Sequence, residues 1–199
     1  GRKHLHRTQS RCFHFHHRWT DWSSLRFQAG AAATDRSRRA SRRIVDMGGD
    51  LQTRINEFRE LYESRDENND LITYSVAPHS LYTCSDKALE ACTSLAKEYN
   101  LPIHVHFLES IDEIEDIKNK HGRPAIQVLR DYFKDVHTIL AHCVKLTDED
   151  IEILKTMDCG IAHNPISNLR LGCKIADTTK IFKTRFKCCS RNRRPRFRK

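Results

Sequence analysis

The chain has 199 residues, 38% of them hydrophobic, and its 35 Lys+Arg against 26 Asp+Glu give a formal charge of +9. That inventory suffices for one core and contains no run of about 18 apolar residues, which excludes a transmembrane helix. No apolar stretch follows the basic start, so a secretory leader is not expected and the cytoplasm is the expected location.

The charge is unevenly placed. Residues 1–43 hold 11 basic and 2 acidic side chains, and residues 183–199 hold 9 basic and none acidic. The centre is left with 15 basic and 24 acidic residues. In 1–43 no hydrophobic period of 2 or 3.6 is sustained, Arg38-Arg39 and Arg42-Arg43 repel one another, and His4, His6, His14, His16 and His17 crowd the start. Such a segment buries too little apolar surface to offset chain entropy, so 1–43 is expected to be poorly ordered, and 184–199 likewise. The organisation expected is therefore a basic arm (1–43), one folded domain (44–183) and a basic tail (184–199).

Within the domain, Asp50 is placed to cap a helix whose Leu51, Ile55, Phe58 and Tyr62 recur at helical spacing. LITYSVA (71–77) reads as a strand. Ser85 opens a second helix with Leu89, Cys92, Leu95 and Ala96 on one face, which Asn100-Leu101-Pro102 stops. IHVHFL (103–108) is the next strand, helical turns follow over 110–120, and Pro124 sits where a first-turn proline is tolerated. TILA (138–141) is a short buried-type strand. Thr147 and Asp150 have the spacing of a capping box for a helix running to Met157, and CGIA (159–162) is a fourth strand. Strands alternating with helices imply α/β architecture with a parallel sheet, either open or part of a barrel, since a full eight-stranded barrel needs about 250 residues.

A histidine follows each strand: His79, His106, His142 and His163. The carboxyl ends of parallel strands share one face, where ligands bind, so four imidazoles in phase point to a site. Imidazole suits zinc, iron or nickel, and Glu109, three residues past His106, would share the rim as a proton carrier. His104 alternates with His106 and points to the same strand face; His121 and His137 read as solvated. The eight cysteines contain no C-x-x-C pair and read as reduced thiols, several of them in the core.

Four segments carry a resemblance: APHSLYTCS (77–85), PIHVHFLES (102–110), ILAHCVKLT (139–147) and IAHNPISNLRLG (161–172). Together they resemble the metal-dependent amidohydrolases of the triazine hydrolase (ATZ/TRZ) and cytosine/adenosine deaminase type, most of all the 5′-methylthioadenosine/S-adenosylhomocysteine deaminases. The resemblance implies a TIM (β/α)₈ barrel, of which this chain holds about four β/α units, and a deaminase or chlorohydrolase that uses a metal-activated water. It implies one divalent ion, Zn or Fe, and a small heterocyclic substrate, with nucleosides, free bases and triazines not distinguished. His106 looks like a metal ligand, Glu109 like the acid/base, His142 like the group that orients the water or polarises the substrate, and His79 like a substrate contact. His163, Asn164 and Asn168 look like supports for their loop.

The sequence departs from that family in two places. The family's first strand ends in His-x-His, a pair of metal ligands; His4-Leu5-His6 and His14-Phe15-His16 have the letters without a preceding apolar strand, and they lie too close to His79. The final ligand, the Asp of an L-G-T-D-G strand end, does not occur. The tail suggests where that strand went: codons for RFKCCSRNRRPRFRK (185–199), read one base later, permit GLNVALGTDGQGSG. A shift near Lys183 or Thr184 would account for both the lost strand and the basic tail. On these grounds the chain as written is expected to be inactive. The competing reading takes the two basic arms as a nucleic-acid-binding device that grips phosphates, with Trp19 and Trp22 available to stack on bases.

Overall fold

The computed structural model describes residues 38–40, 43–46, 49–67, 72–183 and 187–190. The element order is β1 (Arg38–Ala40), β2 (Arg43–Ile44), α1 (Leu51–Glu63), β3 (Ile72–Tyr74), β4 (Ala77–Pro78), α2 (Asp86–Glu98) and β5 (Ile103–Phe107). It continues with α3 (Ile111–His121), α4 (Ala125–Phe133), β6 (Thr138–His142), α5 (Asp148–Leu154), β7 (Cys159–His163), α6 (Pro165–Arg170), α7 (Thr178–Lys183) and β8 (Lys187–Ser190).

Every strand pairing described is parallel. β1 pairs with β3, β2 with β4, and β5-β6-β7-β8 form one sheet. The stretch holding β3 and β4 runs beside β5 through bridges at Val76–Ile103 and Ser80–His106, closed by Val76 N to Pro102 O at 3.0 Å and His104 N to Val76 O at 2.8 Å. Parallel neighbours require long crossovers, and helices supply them.

The helices begin where the sequence says they should. The Asp50 carboxylate accepts from Gln52 N and Thr53 N, the Ser85 hydroxyl from Ala88 N, and the Ser110 hydroxyl from Glu113 N. Thr147 and Asp150 form both halves of the capping box, which satisfies two otherwise orphaned amide donors. Helix α5 nevertheless ends at Leu154, short of Met157. The helices bury Phe58, Leu89, Ile117, Leu129, Phe133 and Leu154 against the outward face of the sheet residues Ile103, Val105, Phe107, Leu140 and Ile161. Each such side chain contributes about 1.5–3 kcal/mol by leaving water.

Three expectations need correction. Strand β1 lies inside 1–43, β2 joins the last residue of that segment to Ile44, and β8 lies inside 184–199, both segments expected to be poorly ordered. Backbone pairing with β3, β4 and β7 forms them, not an apolar pattern of their own, so paired strands lie on both sides of 44–183. Most of the remaining residues of the two basic ends, including the His4/His6 and His14/His16 pairs, lie outside the described residues. The strand read at 71–77 is two short strands, β3 and β4, each with its own partner. His121, expected to be solvated, has its side chain enclosed, 4% exposed: its Nε2 bonds Leu81 O at 3.1 Å and its Nδ1 lies 3.5 Å from Asp86.

Lys174 stands at φ 67°, a left-handed conformation that costs a residue bearing Cβ about 1–2 kcal/mol. Lys174→Gly is therefore expected to raise stability by about 1 kcal/mol, read as an increased urea midpoint. Cys84, Cys92, Cys143 and Cys159 are buried free thiols, and burial pushes Cys92 well up and Cys159 up to about 11. A thiol-alkylating reagent at neutral pH is expected to modify half-exposed Cys173 in the folded chain, and these four only after unfolding, as mapped by peptide mass.

Candidate active site

The carboxyl ends of β4, β5 and β6 bring the predicted residues together. The ring of His79 lies 4.8 Å from that of His106, and the His106 ring lies 5.3 Å from that of His142, nearly parallel to it at 22°. Glu109 Oε1 lies 3.0 Å from His142 Nδ1. His163, at the end of β7, is buried, with its Nδ1 unpaired among the described residues.

Each group is held by the local chain. His106 Nδ1 donates to the His79 carbonyl at 2.5 Å, which fixes the ring and leaves its lone pair on Nε2. His79 Nδ1 is paired with the Thr83 hydroxyl at 2.8 Å. The loop carrying Thr83 is in turn pinned to the end of α3, where the Lys120 ammonium donates to the carbonyls of Leu81, Tyr82 and Cys84. On the opposite side Ser85 N donates to Asp46 at 2.9 Å, and His79 N to Ile44 O at 3.1 Å.

Glu109 owes its position to Glu113. The chain leaves β5 through Leu108 at φ 52°, and this turn directs the amides of Leu108 and Glu109 to the two Glu113 oxygens at 2.9 and 2.8 Å. The end of β6 is strained as well, with His142 at φ 75° and Cys143 at φ 52°. Such conformations cost about 1–3 kcal/mol each and persist where surrounding bonds over-determine them. Here those bonds are Cys143 N to Phe107 O at 2.9 Å, Val144 N to Leu108 O at 2.9 Å and Lys145 N to Leu108 O at 3.0 Å. They lace the two strand ends together.

The electrostatics separate the histidines. Burial, reinforced by the Arg43 charge, pushes His79 below the ordinary imidazole range, and burial with His142 nearby does the same to His163. His142 moves upward: burial opposes its charge, but the Glu109 carboxylate, the Asn168 bond and the more distant Glu113 outweigh it. Asn168, on α6, was read as a loop support; its Oδ1 also lies 2.6 Å from His142 Nδ1. Glu113 and Thr83 were missed. Ser110-x-x-Glu113 has capping-box spacing, but the Glu113 side chain reaches Leu108 and Glu109 rather than the cap amide, which only the turn at Leu108 reveals.

A catalytic metal takes about three protein ligands. His106 presents one suitable nitrogen, and among the described residues no three His, Cys, Asp or Glu side chains are arranged to hold an ion. The described residues therefore do not fit a metal centre by themselves.

The family model described as "Amidohydrolase family" matches residues 6–185. The chain belongs to the amidohydrolase family. It is 44% identical over 116 residues to a 5′-deoxyadenosine deaminase of Methanococcus maripaludis, covering 57% of this chain and 28% of that protein. It is 38% identical over 136 residues to a 5-methylthioadenosine/S-adenosylhomocysteine deaminase of Symbiobacterium thermophilum, covering 66% of this chain and 31% of that one. The chain thus spans about a third of the length of these relatives. Among solved structures, a guanine deaminase from C. acetobutylicum superposes with TM-score 0.71 at 21% identity, over 77% of this chain and 39% of that one. A zinc-bound adenosine deaminase from Xanthomonas campestris gives 0.68 at 21%, over 78% and 36%. These likenesses establish the fold: the run of parallel β/α units is part of the family's barrel.

Glu113→Ala would leave two backbone donors without an acceptor and is expected to cost about 3 kcal/mol, with Glu113→Gln costing less, both read by urea denaturation. Burial raises the Glu113 carboxyl above its ordinary 4.5, against the two amides that lower it. A folded-state value above the unfolded one gives stability that is full below about pH 4.5 and lost as pH rises through the raised value. The wild-type chain is accordingly expected to lose stability relative to Glu113→Gln as pH rises through that window.

Proposed function

We propose that this chain carries the substrate- and proton-handling part of a hydrolytic deaminase site for an adenosine-like nucleoside, working in the cytoplasm. The observation that carries this reading is the convergence of His79, His106, Glu109 and His142 from successive parallel strand ends, with 3.0 Å between Glu109 and His142. In the reaction, a water oxygen bonds to the ring carbon that bears the amine and the C–N bond breaks. Glu109 takes the water proton and returns it to the leaving nitrogen, so that ammonia departs. His142, charged or hydrogen-bonding, orients that water or polarises the ring, and His79 meets the heterocycle. A divalent ion, zinc or iron, would supply acidity to the water when bound. His106 is the residue among those described that would hold it.

One ligand among the described residues does not hold a catalytic ion, so the chain as written is expected not to turn over substrate. The basic tail is the family strand translated out of frame, and the position of β8 supports this. Lys187–Ser190, which the shifted reading spells Asn-Val-Ala-Leu, pairs in parallel with Gly160–His163. The alternative of nucleic-acid binding through the basic ends draws no support from the fold or the relatives.

Nucleotide sequence across codons 183–185 is expected to show that one base restores the GLNVALGTDG reading; failure to find it removes the frameshift. Purified chain is expected to release no ammonia from 5′-deoxyadenosine with zinc present, and release would overturn its inactivity. The product of the corrected gene is expected to release ammonia, with Glu109→Ala lowering kcat by about 10²–10⁴. No deamination by that product would overturn the functional reading.

A further inference from the structure

Two acceptors compete for one proton at His142. Its Nδ1 carries at most one hydrogen, yet Asn168 Oδ1 lies 2.6 Å away and Glu109 Oε1 3.0 Å away. The shorter contact is a hydrogen bond, whereas the Glu109 oxygen is buried and has no hydrogen-bond partner among the described residues. Asn168 is fully buried and its main chain is held at both ends: its N donates to Asn164 O at 3.0 Å, and Cys173 N donates to its backbone carbonyl at 2.8 Å.

We infer that Asn168 is the positioning residue of this site: its side-chain oxygen, and not the Glu109 carboxylate, takes the Nδ1 proton of His142. An amide oxygen suits that task because it accepts a hydrogen bond without acting as a base. It keeps the proton on Nδ1 and the lone pair on Nε2, whatever the charge state of Glu109. Were Glu109 the holder, its carboxylate would be committed to an ion pair and would have to leave it before accepting a proton from water. Asn168 thus separates two duties that would otherwise fall on one carboxylate. The consequence for catalysis rests on the functional reading above, but the tautomer itself does not.

The test is ¹⁵N NMR of the full chain with labelled histidine, at alkaline pH where the ring is neutral and with no metal or substrate added. His142 is assigned by the signal lost in His142→Phe. The wild-type chain is expected to show the Nδ1–H tautomer, against the Nε2–H preference of free imidazole, and Glu109→Ala is expected to retain it. Adding Asn168→Ala to Glu109→Ala is expected to return the ring to the free-imidazole pattern, and Asn168→Asp in its place to restore Nδ1–H. An Nε2–H ring in the wild type, or loss of the Nδ1–H pattern in Glu109→Ala alone, overturns the assignment. Because wild type and Glu109→Ala suffice to decide, the result stands even if the Asn168 variants fail to fold. A correct tautomer in a chain whose corrected gene product does not deaminate would sink the functional reading and leave the Asn168 assignment intact.

Discussion

A parallel strand cannot turn directly into its neighbour; the chain must cross back along the outside of the sheet before the next strand begins. In this protein that constraint acts from β2 to β3 and at each step from β4 to β8, so the carboxyl ends of the strands collect along one edge. Residues far apart in sequence, such as His79, His106 and His142, meet there without any special long-range contact to recruit them. The cost falls on the backbone at the same edge. Each strand must bend sharply into its helix, and at Leu108, His142 and Cys143 it does so through left-handed residues that are not glycine.

Three side chains of helix α3 brace two of the strand ends. Glu113 collects the amides released by the turn at Leu108 and so fixes the root of Glu109. Lys120 and His121, at the other end of the same helix, fasten the loop that carries Thr83, the partner of His79. Helix α3 therefore works as a splint between two strand ends. Its amino end sets the carboxylate and its carboxyl end sets an imidazole, while Ile117 in its middle is buried in the core.

The central strands, the helix starts and the four strand-end histidines were legible because each rests on a local signal. Caps such as Asp50, Ser85 and Thr147 act within a few residues, and alternation of apolar side chains marks a half-buried strand. β1, β2 and β8 were not legible, since arginine- and lysine-rich segments form strands only because a neighbour offers a ladder. His121 was misread for a related reason. Its polar character fits solvent, and only the fold brings the Leu81 carbonyl to meet it. That the rings of His79, His106 and His142 lie near one another follows from topology, but the partners that hold the neighbouring groups, Glu113 and Asn168, depend on turn geometry and on a contact across 26 residues of sequence.

The paired left-handed residues at the end of β6 restrict what can occupy that corner over evolutionary time. Branched side chains at position 143 would collide with their own backbone, whereas asparagine, aspartate or glycine would relax it. The corner is thus tolerant of polarity and intolerant of bulk near the main chain, the reverse of the rule for the buried strand that precedes it.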